Sequence, residues 1–234
     1  MNKRYFITGT DTGVGKTIAT AALARIFPHC GVCKPIQTGY PQDQDLLFVQ
    51  KQAKLKTAQI YNPLHFTKPL APQQAALEDK QPPIDTKKLV KNVLDFCAQF
   101  EISFIEGAGG LYVPIGEKYF MLDLLKDLKA ATILVCRAGL GTINHTLLSI
   151  EALRRKRVKI KGLIFNQTTP PDISARENPQ IIQKISGLPI LGIFPYQKKL
   201  NVIKLSNLVR DIPKFCKNES SEIAPAEISL PKRL

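Results

Sequence analysis

The sequence predicts an α/β protein in which a mostly parallel sheet lies between two layers of helices, as in P-loop NTPases. A glycine-rich segment, ITGTDTGVGKT, follows the first apolar strand, and strand candidates then alternate with helix candidates along the chain. Such alternation is typical of βαβ units, whose strands run parallel. With 234 residues, 44% of them hydrophobic, the chain has a globular composition. We expect a single domain over residues 1–216 and a flexible basic tail over residues 217–234.

Hydrophobic periodicity gives the order of the elements. The predicted strands are 4–8, 32–36, 102–106, 131–136, 160–166 and 190–194. The predicted helices are 16–26, 45–54, 86–99, 121–129, 143–156 and 174–185. The run ATILVC at 131–136 is continuously apolar, which is typical of a strand covered on both faces. The proline-rich segments 62–72 and 79–84 are predicted to be loops.

The segment between the first strand and the first helix has the features of a phosphate-binding loop. Gly13, Val14 and Gly15 can direct backbone N–H groups at phosphate oxygens, and the helix N-terminus adds a positive field. Lys16 can reach the β- and γ-phosphates of a nucleotide, and Thr17 can coordinate Mg²⁺. The segment therefore predicts binding of a nucleoside triphosphate.

One position departs from the usual G-x-x-x-x-G-K-[ST] motif, since Thr10 stands where the first glycine is expected. The alternative interpretation is a strand–loop–helix connection that binds nothing. We disfavour that alternative because Gly-Lys-Thr follows a strand and opens a helix, which is the context that the motif requires.

Four other predicted strands also end in residues that suit a binding site. Ligands of open α/β sheets bind outside the carboxyl ends of the strands. The segments concerned are KPIQTG at 34–39, EGAGG at 106–110, GLGTINH at 139–145 and NQTTP at 166–170. Together with the phosphate-binding loop, they predict an active site at one edge of the sheet.

Three charged residues at these ends fit phosphoryl-transfer chemistry. Lys34 would add a second ammonium beside Lys16, where negative charge develops during transfer. Glu106 ends an apolar strand and could hold Mg²⁺, although a helix-capping or solvent-facing glutamate is the alternative. Asp45 opens the second helix, so it is either a plain N-cap or a second carboxylate for the metal.

Two further segments fit recognition rather than catalysis. Asn166 can both donate and accept hydrogen bonds, which suits a base edge such as adenine, and a turn-forming asparagine is the alternative. The segment 141–144 opens a helix, whose free N–H groups can hold a carboxylate.

Composition excludes several other classes of protein. No apolar run reaches the roughly 18–20 residues of a membrane span, and no signal peptide opens the chain, so we expect a cytoplasmic protein. Cys30 and Cys33 form a C-x-x-C whose order relative to helix and strand is the reverse of a thioredoxin site, so we interpret them as ordinary thiols. The net charge is +14, but the basic residues are dispersed and lack interleaved aromatics. We expect no nucleic-acid partner, and we attribute the cluster at 154–161 to a solvated helix end.

A set of motifs resembles a known family. GTDTGVGKT, KPIQTG, EGAGGLYVP, GLGTINHTLLSIEAL and NQTTPP occur in the order and spacing of dethiobiotin synthetase, and the resemblance runs from residue 4 to about residue 196. It implies an ATP-dependent, Mg²⁺-dependent enzyme of biotin biosynthesis. Such an enzyme converts 7,8-diaminopelargonate and CO₂ into dethiobiotin through a carbamate that ATP phosphorylates.

The resemblance also implies roles for individual residues. Lys16, Lys34 and Thr12 would act at the reacting groups, with Thr38 near the diamine. Thr17, Asp45 and Glu106 would hold Mg²⁺, and Gly13, Val14, Gly15, Asn166 and Pro195 would bind the nucleotide. The substrate carboxylate would lie at Thr142, Ile143 and Asn144 across a homodimer interface.

Some positions depart from the family pattern. Gly13 stands where some members carry an acid, and Gln73 stands where histidine is frequent. The segment 194–197 matches only loosely, which leaves the choice of ATP, CTP or GTP open.

The alternative function is that of a ParA/MinD-like partitioning ATPase. Those proteins carry a lysine near the start of the phosphate-binding loop, where this chain has Thr10, Asp11 and Thr12. A cobyrinate-type amidotransferase would need a glutaminase domain, for which 234 residues leave no room.

Overall fold

A computed structural model describes residues 2–209, apart from residues 43 and 171. A sheet of seven parallel strands forms its centre. The strands are β1 (Lys3–Gly9), β2 (Gly31–Cys33), β4 (Ile60–Tyr61), β6 (Ile102–Glu106), β9 (Ala131–Arg137), β10 (Ile160–Asn166) and β11 (Ile190–Phe194). Two short pairs stand apart: parallel β3 (Ile36–Gln37) with β5 (Leu64–His65), and antiparallel β7 (Pro114–Gly116) with β8 (Tyr119–Phe120).

Helices cover both faces of the sheet. They are α1 (Lys16–Ile26), α2 (Asp45–Ala53), α3 (Pro72–Glu78), α4 (Thr86–Cys97), α5 (Met121–Asp127), α6 (Thr142–Arg155), α7 (Ile173–Ser186) and α8 (Val202–Ser206). Side chains alternate along β1, so Tyr5 and Ile7 pack with α1, α2 and α8, whereas Phe6 packs with α3 to α6 on the other face. A third cluster joins β9 and β10 to α6 and α7. The predicted three-layer fold is confirmed.

The strand order brings the functional segments together. The order is β11-β10-β9-β1-β6-β2-β4, and all seven strands are parallel. The carboxyl ends of β1, β6 and β2 are therefore neighbours, and each carries a segment with candidate site residues. No helix in the described part of the chain has the length and hydropathy needed to cross a membrane.

The prediction of one strand over 32–36 is wrong. The strand stops at Cys33, and residues 36–37 form β3 in a separate pair. The break occurs because Pro35 has no N–H to continue the ladder, while the Lys34 amide donates to the Tyr61 carbonyl at 2.9 Å. As a result, the chain leaves the sheet at Lys34.

The prediction that 62–72 is entirely a loop is also wrong. It contains β5 and the start of α3, in which Pro72 occupies the first helical turn. Proline suits this position because the N–H that it lacks would have no intrahelical partner. The predicted tail over 217–234 lies outside the described residues, and the domain boundary at 216 stays a prediction.

Candidate active site

The phosphate-binding loop joins β1 to α1. Gly15 is the N-cap of α1 with φ of 96°, and Gly13 has φ of 72°, a left-handed conformation that glycine adopts without strain. The helix begins at Lys16, whose buried side chain donates from Nζ to the Asp11 carbonyl at 3.0 Å. The loop thus folds back over its own lysine and places the ammonium at the helix N-terminus.

Four side chains from different segments converge beside this loop. Thr17 Oγ1 lies 2.9 Å from Asp45 Oδ1 and 2.9 Å from Glu106 Oε1. Lys34 Nζ donates to Asp45 Oδ2 and, at 3.0 Å, to Glu106 Oε1. The cluster therefore contains two carboxylates that share one hydroxyl and one ammonium.

This geometry excludes one alternative interpretation of each acid. Glu106 is 0% exposed, so it is not a solvent-facing glutamate. Asp45 is the first residue of α2, and the N-cap is Gln44, so the plain N-cap interpretation is wrong. Both carboxylates instead point into the cluster with Thr17 and Lys34.

The opposite charges of Lys34 and Asp45 favour the charged form of both side chains. Burial alone would lower the pKa of Lys34, but Glu106 and Asp45 raise it above its ordinary value. Burial would likewise raise the pKa of Asp45, but Lys34 and the Thr17 hydroxyl hold it below its ordinary value. The ammonium and the Asp45 carboxylate are therefore both charged at neutral pH.

For Lys16, in contrast to Lys34, burial has a larger effect on the pKa than the neighbouring charges. Burial lowers its pKa from 10.5 to about 8; Glu106 opposes this shift, whereas the nearby Lys34 adds to it. Lys16 forms no ion pair with a carboxylate among the described residues, so its buried ammonium is poised to accept an anionic ligand.

Comparison with known proteins identifies the family of the chain. A family described as an AAA domain matches residues 3–204. ATP-dependent dethiobiotin synthetase BioD of Thermodesulfovibrio yellowstonii is 36% identical over 226 residues, covering 88% of this chain and 93% of that protein. The protein of the same name from Legionella pneumophila is 39% identical over 217 residues, covering 88% of this chain and 100% of its own. The chain belongs to the dethiobiotin synthetase family. The resemblance found in the motifs is confirmed.

A solved structure shows the same fold in a more distant protein. The cell division ATPase MinD of Pyrococcus furiosus superposes with a TM-score of 0.57 over 92% of this chain and 100% of its own, at 16% identity. At this identity the likeness concerns the fold alone. It confirms the P-loop architecture and does not favour a partitioning function over that of the dethiobiotin synthetase family.

The oxygen cluster fits a divalent cation. Glu106 Oε2 is buried and has no hydrogen-bond partner among the described residues. The single proton of Thr17 can be donated to only one of the two carboxylate oxygens that it contacts. Hydroxyl and carboxylate oxygens are the ligands that Mg²⁺ prefers, and a cation would satisfy both features. No cluster of three or more His, Cys, Asp or Glu suited to a metal occurs in the described part of the chain. The candidate ligands are therefore two carboxylates together with the Thr17 hydroxyl.

Asn166 reaches the phosphate-binding loop from the end of β10. Its Nδ2 donates to the Val14 carbonyl at 3.0 Å, and the side chain is buried. The turn-forming alternative is therefore wrong, because Asn166 is the last residue of a strand and its side chain supports the loop. Sequence reasoning missed this contact, since it joins residues 152 positions apart.

We expect Gly15→Ala to be far more damaging than Gly13→Ala. Both glycines have positive φ, so alanine costs roughly 1–2 kcal/mol at either position. A Cβ at Gly15 would also lie 2.1 Å from Asn166 Nδ2, whereas one at Gly13 would have no neighbour within 4 Å. Gly15→Ala should therefore lower ATP affinity and the midpoint of thermal unfolding further. Adding Asn166→Ala should recover part of that extra loss, and equal defects in the two single variants would contradict this account.

The other predicted residues at the carboxyl edge lie in three places. Thr12 is exposed, and its Oγ1 lies 3.5 Å from the position of a Cβ built on Gly109. Thr38 is half-buried and follows β3, while Pro195 is exposed and follows β11. Gln167 links the segments that follow β10 and β11, because its Oε1 accepts from the Tyr196 amide at 3.2 Å. The sequence analysis did not predict a role for this side chain.

The start of α6 differs from the prediction. The helix begins at Thr142 rather than at residue 143, with Gly141 as a left-handed N-cap. The Thr142 side chain is buried, and its Oγ1 lies 3.2 Å from Thr146 Oγ1. The backbone amide of Thr142 donates to the Gly139 carbonyl. No carbonyl among the described residues accepts from the amides of Ile143 and Asn144. Those two amides are the donors left at this helix end.

Cys30 and Cys33 behave as ordinary thiols. Both are free and buried. Burial raises the pKa of Cys30 to about 12, and burial together with Cys97 raises that of Cys33. Neither is a thiolate at neutral pH, which agrees with the interpretation from the sequence.

Proposed function

We propose that the chain is an ATP-dependent dethiobiotin synthetase that acts on 7,8-diaminopelargonate and CO₂ with Mg²⁺. One observation carries the proposal beyond family membership: two buried lysines, Lys16 and Lys34, lie beside a phosphate-binding loop and a pair of carboxylates. In a protein that only bound a nucleotide, Lys34 would serve only as the counter-ion of the two carboxylates. In an enzyme that joins two anionic reactants, a second ammonium beside Lys16 would also neutralise the charge that develops during transfer.

The proposed reaction has three steps. One amine of the substrate takes up CO₂ as a carbamate and releases a proton. A carbamate oxygen then attacks the γ-phosphorus of ATP, and the bond to ADP breaks. The second amine attacks the carbonyl carbon of the mixed anhydride, phosphate leaves and takes up the proton that this amine loses, and the cyclic urea of dethiobiotin is complete.

Each charged side chain has a part in these steps. Lys16 would hold the β- and γ-phosphates from the start of α1, and Lys34 would hold the carbamate in line with them. Thr17, Asp45 and Glu106 would hold Mg²⁺, which supplies positive charge to the phosphate oxygens. Thr12 and Thr38 would contact the diamine and its carbamate, and Asn166 and Pro195 would border the base.

We expect Glu106→Gln to shift the Mg²⁺ dependence of turnover to higher Mg²⁺ concentrations. The amide keeps the shape of the side chain but removes one negative charge from the site. Activity should fall at low Mg²⁺ and recover in part at high Mg²⁺, because a weakened site still fills by mass action. Asp95→Asn is the matched control, since Asp95 is exposed and pairs with Lys91. An unchanged Mg²⁺ dependence in Glu106→Gln would place this residue outside the metal site.

We also propose a homodimer in which α6 receives the substrate carboxylate of the partner subunit. Large apolar side chains are exposed just before α6, in the middle of α6 and at the start of α7: Leu140 is 83% exposed, Leu148 60% and Ile173 89%. An apolar patch next to the two available amides of Ile143 and Asn144 fits an interface that contains a carboxylate. The two amides would then act on a site whose phosphate-binding loop belongs to the other chain.

A mixing experiment tests the shared site. Lys16→Gln and Asn144→Asp chains should each be weakly active, the second because its new carboxylate repels that of the substrate. After subunit exchange, half of the dimers are hybrids, and each hybrid has one intact site of two, so activity should return to about a quarter of wild type. Lys16→Gln mixed with itself is the control. Absence of rescue after demonstrated exchange, or an active monomer in ultracentrifugation, would contradict the arrangement.

The alternative as a partitioning ATPase is tested by a DNA mobility shift with and without ATP. We expect no ATP-dependent shift, because the chain lacks the lysine near the start of the loop that those proteins carry. A protein that draws on ATP and bicarbonate fits the cytoplasmic location predicted from the sequence.

A further inference from the structure

A basic cleft lies at the amino edge of the sheet, opposite the candidate active site. Its volume is about 550 Å³, and it is formed at the starts of β1, β9 and β10 and by the residues that follow α5 and α6. Twelve of the described residues line it; seven of these twelve are lysine or arginine, and none of them is acidic. Because β1 has seven residues, about 20 Å separate this cleft from the phosphate-binding loop.

Two of the lining cations have a structural role. Arg4 donates from Nε to the Leu128 carbonyl at 2.9 Å, and Lys126 donates from Nζ to the Lys156 carbonyl at 2.8 Å. These carbonyls lie at the ends of α5 and α6, where cations satisfy free acceptors and oppose the helix dipole. Helix capping therefore explains Arg4 and Lys126.

Capping does not explain Lys129, Arg157 and Lys159. All three side chains are exposed, and none takes part in an ion pair or side-chain hydrogen bond within the described part of the chain. Lys129 has φ of 49° and Arg157 has φ of 56°, just after helices that end at residues 127 and 155. Glycine or asparagine is usual there. Cations at both positions concentrate positive charge on the cleft.

The basic segment 154–161 is thus divided between two roles. Arg154 donates to the Ser186 carbonyl, Arg155 pairs with Glu151, and Lys156 pairs with Asp123. Arg154 and Lys156 are half-buried, so the prediction of a solvated helix end fits Arg155, Arg157 and Lys159 better. Arg157 and Lys159 also line the cleft.

We propose that this cleft binds a compact ligand that carries two or more phosphate groups. Three neighbouring strands, spaced about 4.8 Å apart, give the cleft a width of roughly 10 Å, which suits a short phosphate chain. Its volume lies in the range of small-molecule sites. Among the described residues, Tyr5 is the one aromatic that lines the cleft, and it is only 4% exposed, so these residues offer no platform on which bases could stack. A compact oligophosphate therefore fits better than single-stranded nucleic acid.

Inorganic triphosphate is the probe for this site. Calorimetric titration uses the full chain with Lys16→Gln, so that the phosphate-binding loop contributes little. Adding Lys129→Gln, Arg157→Gln and Lys159→Gln should weaken binding by about tenfold or more, since charge-assisted contacts to phosphate are lost. The matched control adds Lys51→Gln, Lys87→Gln and Lys184→Gln, which remove the same charge from exposed positions outside the cleft. The control should bind within about twofold of its parent.

Several outcomes would overturn the proposal. They are undetectable binding of triphosphate to the parent, equal losses in the cleft and control variants, and tighter binding of a 20-nucleotide single strand that the cleft substitutions abolish. The last would assign the cleft to nucleic acid. With Lys16 intact, the three cleft substitutions should leave dethiobiotin formation unchanged, so this test is independent of the proposed reaction.

Discussion

Replacing Lys16 by glutamine should lower turnover by roughly 10²-fold or more, as expected when a main charge contact of a transition state is removed. The ammonium stands at the N-terminus of α1, buried beneath the loop. Glutamine preserves most of its length and polarity but cannot neutralise phosphate. Dethiobiotin formation at saturating ATP measures the effect.

The control for this variant is Lys51→Gln, since Lys51 is exposed on α2 and contacts no site residue that the structure describes. It should retain wild-type turnover. Near-wild-type turnover in Lys16→Gln, with an unchanged KM for ATP, would show that the loop does not hold the transferring phosphoryl group.

Replacing Lys34 by glutamine should reduce both turnover and stability, and Mg²⁺ should restore only the second. Lys34 is the sole ammonium that contacts the Asp45 and Glu106 carboxylates among the described residues. Leaving buried carboxylates without their cation should cost about 2–4 kcal/mol, less than a fully buried pair because Asp45 reaches solvent. Mg²⁺ bound by the same carboxylates would offset that loss, as any ligand of the folded state does.

Turnover should stay low in Mg²⁺ because the cation at the carboxylates does not replace the ammonium that we assign to the carbamate. An interaction made mainly in the transition state lowers kcat and kcat/KM together. The thermal unfolding midpoint and kcat, each measured over a range of Mg²⁺ concentrations, separate the two roles. Recovery of both by Mg²⁺ would make Lys34 a structural counter-ion only.

Periodicity in the sequence was sufficient to predict the main elements. The strands at 102–106, 160–166 and 190–194 and the helix at 16–26 have the predicted bounds. Each is long enough for its apolar pattern to repeat, and each ends at glycine, proline or a polar turn. The two-residue strands β3, β4, β5 and β8 are too short to show such a repeat. The start of α3 is not predicted because Pro72 belongs to a proline-rich segment, which is typical of a loop.

The candidate site could be predicted residue by residue but not as a network. The sequence predicts Lys34, Asp45 and Glu106 as site residues, each from its own segment. Their contacts depend on β6 lying next to β2, which the order of elements along the chain does not reveal. For the same reason, the support that Asn166 gives to the phosphate-binding loop appears only in the folded chain.

The most direct test of the account is the reaction itself, followed with labelled bicarbonate. The protein is incubated with ATP, Mg²⁺, ¹³C-bicarbonate and 7,8-diaminopelargonate, and the products are analysed by mass spectrometry. We expect dethiobiotin that carries a single ¹³C atom, with ADP formed in equal amount and only when the diamine is present. ADP formation that is indifferent to the diamine, without labelled dethiobiotin, would contradict the proposed function.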